Sequence, residues 1–257
     1  MLEGYNYVPL LHTKGIELTA LSKLDNFTKA RIFPVLICRP GGHNDFNDTV
    51  ASIKLASADL RVGVGLDRSR IGKSKKVPAR DQYDALFNPT DGFKNFFDFI
   101  RDWDAALPVL MTVDGRYEQI EKQLEHTINL DRGFLVRIRQ DEAGHFSELL
   151  KAGVFDSGER SFVVDAEWSL DILKSENWLS QLIAAISDRL PTAEIVCLSS
   201  SFPKSFSNIG ARGVFSNNDR ELFDRVRRAN NQANLIFGDW GSTRSSEEAF
   251  ANKPRPR

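Results

Sequence analysis

Two arginines and two carboxylates stand at alternate positions at the ends of consecutive apolar runs, Phe134-Leu135-Val136-Arg137-Ile138-Arg139 and Phe162-Val163-Val164-Asp165-Ala166-Glu167. Successive side chains of a strand point to opposite faces, so Phe134, Val136 and Ile138 share one face while Leu135, Arg137 and Arg139 share the other. Phe162, Val164 and Ala166 oppose Val163, Asp165 and Glu167 in the same way. With the apolar faces packed on helices, all four charges project into one interior and meet near the C-terminal ends of their strands. Two readings of that meeting stand side by side. Buried charges persist mainly when paired, which makes the four a structural ion-pair network. Titratable groups gathered in a cleft are also the material of ligand and catalytic sites. On that second reading Asp165 and Glu167 are the catalytic candidates, and Arg137 and Arg139 bind an anionic ligand.

Lys14, Arg39, Asp67, Asp114 and Asp239 each fall at or just after the end of another apolar run. Lys14, Arg39 and Asp239 join the ligand-binding candidates, although each also reads singly as a helix cap or a loop ion pair. Asp165-Ala166-Glu167 matches the Asp-x-Glu arrangement of some barrel glycosidases, in which one carboxyl group protonates the leaving oxygen and the other stabilises charge. Against this, the run ending Ser199-Ser200-Ser201 supplies no carboxylate, and Trp168 and Trp240 are the aromatics available to stack on a sugar. A phosphodiesterase would use His12 as acid or base and the acidic ring to hold Mg²⁺. The Cys38-Arg39-Pro40 segment then stands where such enzymes place metal-binding acids. No pair among His12, His43, His126 and His145 has metal-ligand spacing, so no metal site and no cofactor is assigned. His126 is expected within a helix and His145 in a loop, both facing solvent.

The elements that must position these residues recur eight times. Apolar runs at Tyr7 to Leu11, Ile32 to Cys38, Val62 to Leu66, Leu107 to Val113, Phe134 to Ile138, Phe162 to Ala166, Ile195 to Leu198 and Leu235 to Gly238 alternate with helix-like stretches. That alternation predicts a (β/α)8 TIM-like barrel, whose ligands sit in the loops after the strands. Helical spacing covers Ile16 to Leu24, Tyr117 to Leu130, Leu170 to Leu190 and Arg220 to Asn230. Asp91 is the expected N-cap of a further helix carrying Phe93, Phe96, Phe97 and Ile100. The longest connection, Asp67 to Pro89, carries Arg68, Arg70, Lys73, Lys75, Lys76 and Arg80, and reads as a solvated basic loop or an anion-attracting rim. After Gly238-Asp239-Trp240 the eighth helix is weak or missing, because 241–257 is a polar tail with only Ala249 and Phe250 able to pack. An exposed apolar seam between the first and eighth strands is expected there, with self-association through it.

The 257 residues suit one such barrel, read as a single domain over 1–257. Charge is nearly balanced, 34 basic residues against 35 acidic, so no whole-molecule field argues for nucleic acid or an anionic membrane. Cys38 and Cys197 are too few for a disulfide framework or a metal quartet and read as reduced packing residues. No secretory leader or membrane span is seen, and a cytoplasmic protein is expected.

The opening Tyr7-Val8-Pro9-Leu10-Leu11-His12-Thr13-Lys14, then Glu17, Ala20 and Leu21, then Ile32-Phe33-Pro34-Val35, resembles the bacteriophage beta-protein family, and Gly238-Asp239-Trp240 is similar to its Gly-Asp-aromatic segment. Two departures stand out: Ile16 precedes Glu17 where the family pattern has glycine, and family members usually continue further beyond the eighth strand, so the chain looks like a shortened copy. The resemblance implies a phage or prophage origin and carries no established activity. The expectation is therefore a barrel that binds an anionic ligand at its mouth, with hydrolysis by Asp165 and Glu167 as the enzyme form. A catalytically silent interaction or host-modulating protein is one alternative, and a glycosidase-like enzyme the other.

Overall fold

The computed structural model describes residues 1–40, 45–58, 60–68, 78–112, 117–168, 171–200 and 218–241. Eight parallel strands close into a barrel in sequence order: β1 (Tyr7–His12), β2 (Val35–Cys38), β3 (Val62–Leu66), β4 (Ala106–Leu110), β5 (Phe134–Arg139), β6 (Arg160–Asp165), β7 (Glu194–Ser199) and β8 (Asn234–Trp240). The ring shuts where Tyr7 pairs with Phe237 and Leu10 with Trp240. Helices α1 (Gly15–Ser22), α2 (Asn26–Lys29), α3 (Phe46–Ser57), α4 (Pro78–Ala85), α5 (Lys94–Arg101), α6 (Tyr117–Leu130), α7 (Ala143–Lys151), α8 (Ile172–Arg189) and α9 (Asp219–Ala229) lie between the strands. Among the described residues no helix is long and apolar enough to cross a membrane.

Strand alternation separates two cores. Val8, Leu10, Val35, Ile37, Leu107, Val109, Leu135, Val163, Val196, Leu198, Ile236 and Trp240 pack together inside the barrel. Residues of opposite parity, such as Leu36, Val64, Val136, Phe162, Val164 and Cys197, pack with the helices in a second cluster. Bulky neighbours fill the interior because glycines make room for them. A Cβ on Gly63 would lie 2.4 Å from Leu135 Cδ1, and one on Gly238 would lie 2.8 Å from both Val196 Cγ1 and the Val8 carbonyl oxygen. Outside, α5 buries Phe96, Phe97 and Ile100, and α9 buries Leu222, Phe223 and Val226. Those spacings of three and four residues place each set on one helix face. Cys38 and Cys197 are free, buried thiols in this outer layer, and burial pushes both up to about 12.

Several sequence expectations are corrected. Asp91 does not cap α5: it begins a turn in which Asp91, Gly92 and Phe93 all have positive φ, and its carboxylate bonds Lys122 Nζ at 2.8 Å. That turn also brings the Asp91 carbonyl to His126 Nε2 at 2.8 Å, while the His126 ring lies 4.9 Å from Phe97. His145 lies in α7 and not in a loop. Arg80 is buried in α4 beside Asp84 Oδ1 at 3.3 Å, so it does not belong to a solvated loop. Of the remaining basic stretch, Arg70, Lys73, Lys75 and Lys76 lie outside the described residues. So do Asp114, His43 and 242–257, the expected polar tail.

Candidate functional site

The mouth is built from inward-facing residues at or just after the strand ends. Asp165 closes β6 and is completely buried. Its Oδ2 accepts from Arg137 Nε at 3.0 Å and Nη2 at 2.6 Å, and its Oδ1 accepts from Trp240 Nε1 at 3.1 Å and the Glu167 backbone N–H at 2.8 Å. Four donors leave this carboxylate little capacity for anything else. The Arg137 guanidinium also lies 5.0 Å from the centre of the Trp240 ring. Arg137 and Asp165 are thus brought together by the inward parity of β5 and β6.

Glu167 is held in a left-handed backbone conformation with φ of 52°, costly for a residue with a side chain. Two hydrogen bonds fix it there: its N–H reaches Asp165, and its carbonyl accepts from the Ser200 N–H at 2.8 Å. Arg139 Nη1 stands 3.9 Å from Glu167 Oε1, but its closest partner is Glu142. Glu142 Oε1 accepts from Arg139 Nη2 at 2.8 Å and from Nε at 3.1 Å. The sequence reading missed Glu142 because β5 runs straight into a 3₁₀ turn at Gln140–Glu142, which folds the chain back on the arginine within three residues.

On the opposite side Arg39 follows β2 and bonds Asp67 Oδ2 through Nε at 2.8 Å. The pair is positioned by Tyr83 of α4, whose hydroxyl donates to the Cys38 carbonyl at 2.7 Å and accepts from the Asp67 N–H at 2.8 Å. His12 ends β1 between the two halves, its ring 5.2 Å from that of Trp240. Burial, reinforced by Arg39 and then by Lys14 and Arg137 and opposed by Asp67, lowers the His12 pKa to about 3. The imidazole is therefore neutral at physiological pH. Lys14 itself is half-buried just beyond β1, at the start of α1.

Asp239 is not at the mouth. Ile236 and Trp240 face the barrel interior, so Asp239 shares the outer face of β8 with Phe237, which packs on Phe223 of α9. There it is hydrogen-bonded to the Tyr7 hydroxyl. Burial and the nearby Asp219 raise its pKa above the usual carboxylate range, with the Tyr7 bond opposing. Among the described residues no group of three or more His, Cys, Asp or Glu side chains is arranged to hold a metal ion.

The beta protein family profile matches residues 7–257. Protein beta of Enterobacteria phage P4 is 24% identical over 266 residues, covering 95% of this chain and 68% of that protein. Among solved structures, a family 18 chitinase from Crocus vernus is similar at a TM-score of 0.49 and 10% identity, covering 91% of each chain. A psychrophilic family 10 endo-beta-1,4-xylanase is similar at 0.48 and 9% identity, covering 93% of this chain and 86% of that one. Neither likeness bears on chemistry. The match from the first strand onward assigns the family: the chain belongs to the beta protein family.

Proposed function

We propose that the barrel mouth binds an anionic ligand, with Arg137, Arg139, Lys14 and Arg39 supplying the positive charge. The observation that carries this reading is a gradient of burial within the Arg137–Asp165 and Arg139–Glu142 pairs. Arg137 is 17% exposed over an Asp165 that is 0% exposed, and Arg139 is 32% exposed over a Glu142 at 11%. In both pairs the carboxylate is the more buried partner, so the more exposed charge is positive; Arg39 and Asp67, at 8% and 11%, are buried alike, and Asp141 at 71% adds an exposed carboxylate beside Arg139. A network serving stability alone has no need of that polarity.

Hydrolysis of the bound ligand is the enzyme form of the proposal, and it falls on Glu167. Its side chain is 19% exposed, and backbone strain such as its φ of 52° clusters at functional sites. Asp165 then acts as a positioning residue, because its oxygens are occupied by Arg137, Trp240 and the Glu167 N–H. The same occupancy counts against a glycosidase-like mechanism, which needs two reacting carboxyl groups.

A thermal-shift series with inorganic phosphate, nucleoside phosphates, neutral sugars and Mg²⁺ tests the reading, since a ligand at 100 times its Kd raises native stability by about 2.7 kcal/mol. Stabilisation by the phosphates that is lost in Arg139→Gln is the expected result. Stabilisation by neutral sugars alone would favour the glycosidase, and no stabilisation by anything the silent barrel.

A further inference from the structure

His12 is 3% exposed, yet neither of its ring nitrogens has a hydrogen-bond partner among the described residues. Buried polar atoms are nearly always paired, so such a group calls for a missing partner. His126 shows the ordinary case, with its Nε2 bonded to a backbone carbonyl. His12 ends β1 on the inner face, against Trp240 and within the electrostatic reach of Arg39, Lys14, Arg137 and Asp67. A neutral imidazole offers one N–H and one lone pair. Lys14, Arg39 and Arg137 outnumber the Asp67 and Asp165 carboxylates that pair with the two arginines, which favours an anionic partner, and the ring adds a demand that charge alone does not make. The two nitrogens point apart, so one neighbour must accept from the N–H and a different one must donate to the lone pair. A ligand hydroxyl can donate to the lone pair, which sulfate cannot.

We propose that His12 is a ligand-binding residue at the floor of the mouth, taking a hydroxyl of a phosphate ester whose phosphate oxygens lie against Lys14, Arg39 and Arg137. The proposal rests on the reading of the mouth as an anion site and narrows it to hydroxylated phosphate esters. Entry requires neighbouring side chains to move, and Lys14 is half-buried on a flexible four-carbon stem.

The test uses the full chain with ribose 5-phosphate, inorganic phosphate and sulfate, followed by calorimetry and by the ¹⁵N shifts of the histidine rings. Ribose 5-phosphate is expected to bind the wild type more tightly than either inorganic anion and to move the His12 ring signals. His12→Phe should weaken it at least tenfold while changing sulfate binding less than threefold; His12→Gln serves should the phenylalanine variant not fold. A wild type that binds none of the three anions overturns the mouth reading and this proposal together. Binding of ribose 5-phosphate that is unchanged in the variants, or that leaves the His12 ring signals in place, overturns the role of His12 alone.

Discussion

Replacing Asp165 with alanine removes the acceptor of four hydrogen bonds at once, two of them from Arg137. Arg137 would keep its charge at 17% exposure with no carboxylate beneath it. Breaking a buried pair by deleting one partner costs about 3–5 kcal/mol, and the orphaned indole and backbone N–H groups would each add up to about 1–3 kcal/mol where water does not reach them. Partial exposure of Arg137 lets some water in, which places the expected loss near 4 kcal/mol, at the middle of the range for the pair alone. For a chain of this size that corresponds to a fall in Tm of roughly 10 °C. Asp165→Asn should lose about half as much, since its amide oxygen can still accept from Trp240 and Glu167 while its NH₂ faces the guanidinium. The Asp165→Ala/Arg137→Met double variant should recover part of the loss, because it leaves no uncompensated charge. Urea unfolding at constant m-value reads all three. A loss below about 1 kcal/mol for Asp165→Ala, or strictly additive losses in the double variant, would refute the buried-pair account.

Other consequences are as direct. His12 is held neutral, with a folded-state value of about 3 against an ordinary value of 6.5. The unfolded chain then binds the extra proton between those values, so stability should fall by about 1.4 kcal/mol per pH unit as pH drops from 6.5 toward 3. His12→Phe should remove that component from the slope of denaturation midpoint against pH, and an unchanged slope would contradict it. Asp239→Asn should leave phosphate binding unaltered and stability equal or slightly higher at pH 7, because the buried carboxylate next to Asp219 is easier to hold uncharged. Weakened binding in that variant would return Asp239 to the mouth. Gly238→Ala should cost about 1–3 kcal/mol in urea melts, since the Val8 backbone cannot retreat from the new methyl group. Gly144→Ala, in an exposed position of α7 with open space around it, should instead gain roughly 0.5–1 kcal/mol.

The barrel and the Arg137–Asp165 pair were legible because β5 and β6 alternate cleanly, with large apolar residues on one face and charges on the other. The position of Asp239 was not. Leu235-Ile236-Phe237 is apolar on both faces, as strands covered on both sides are, and carries no parity signal of its own. Only the burial of Ile236 and Trp240 inside the ring shows that Asp239 points outward. Asp91 misled for a local reason, since three successive left-handed residues cannot be read from residue type when only one of them is glycine. Arg80 misled because composition assigned it to a basic loop, although α4 begins two residues earlier and buries it. Trp240 was visible as an aromatic, but its role as a donor to Asp165 depends on β6 and β8 flanking β7 with both side chains turned inward, which no single segment encodes.

The closing pair of strands joins residues 232 positions apart, as in the Tyr7–Asp239 hydrogen bond. Contacts of such sequence separation are late and slow to form, because the entropy of closing the loop is lost before they repay it. Trp240 belongs to that last strand, and both Asp165 and His12 depend on it for a neighbour. The Arg39–Asp67 and Arg137–Asp165 pairs each join neighbouring strands, but the two halves of the mouth are brought together through Trp240 and His12 only when the ring is shut. Its indole N–H should exchange with solvent at the rate of global opening. Whatever occupies the mouth would then act as a latch on the entire circle of strands.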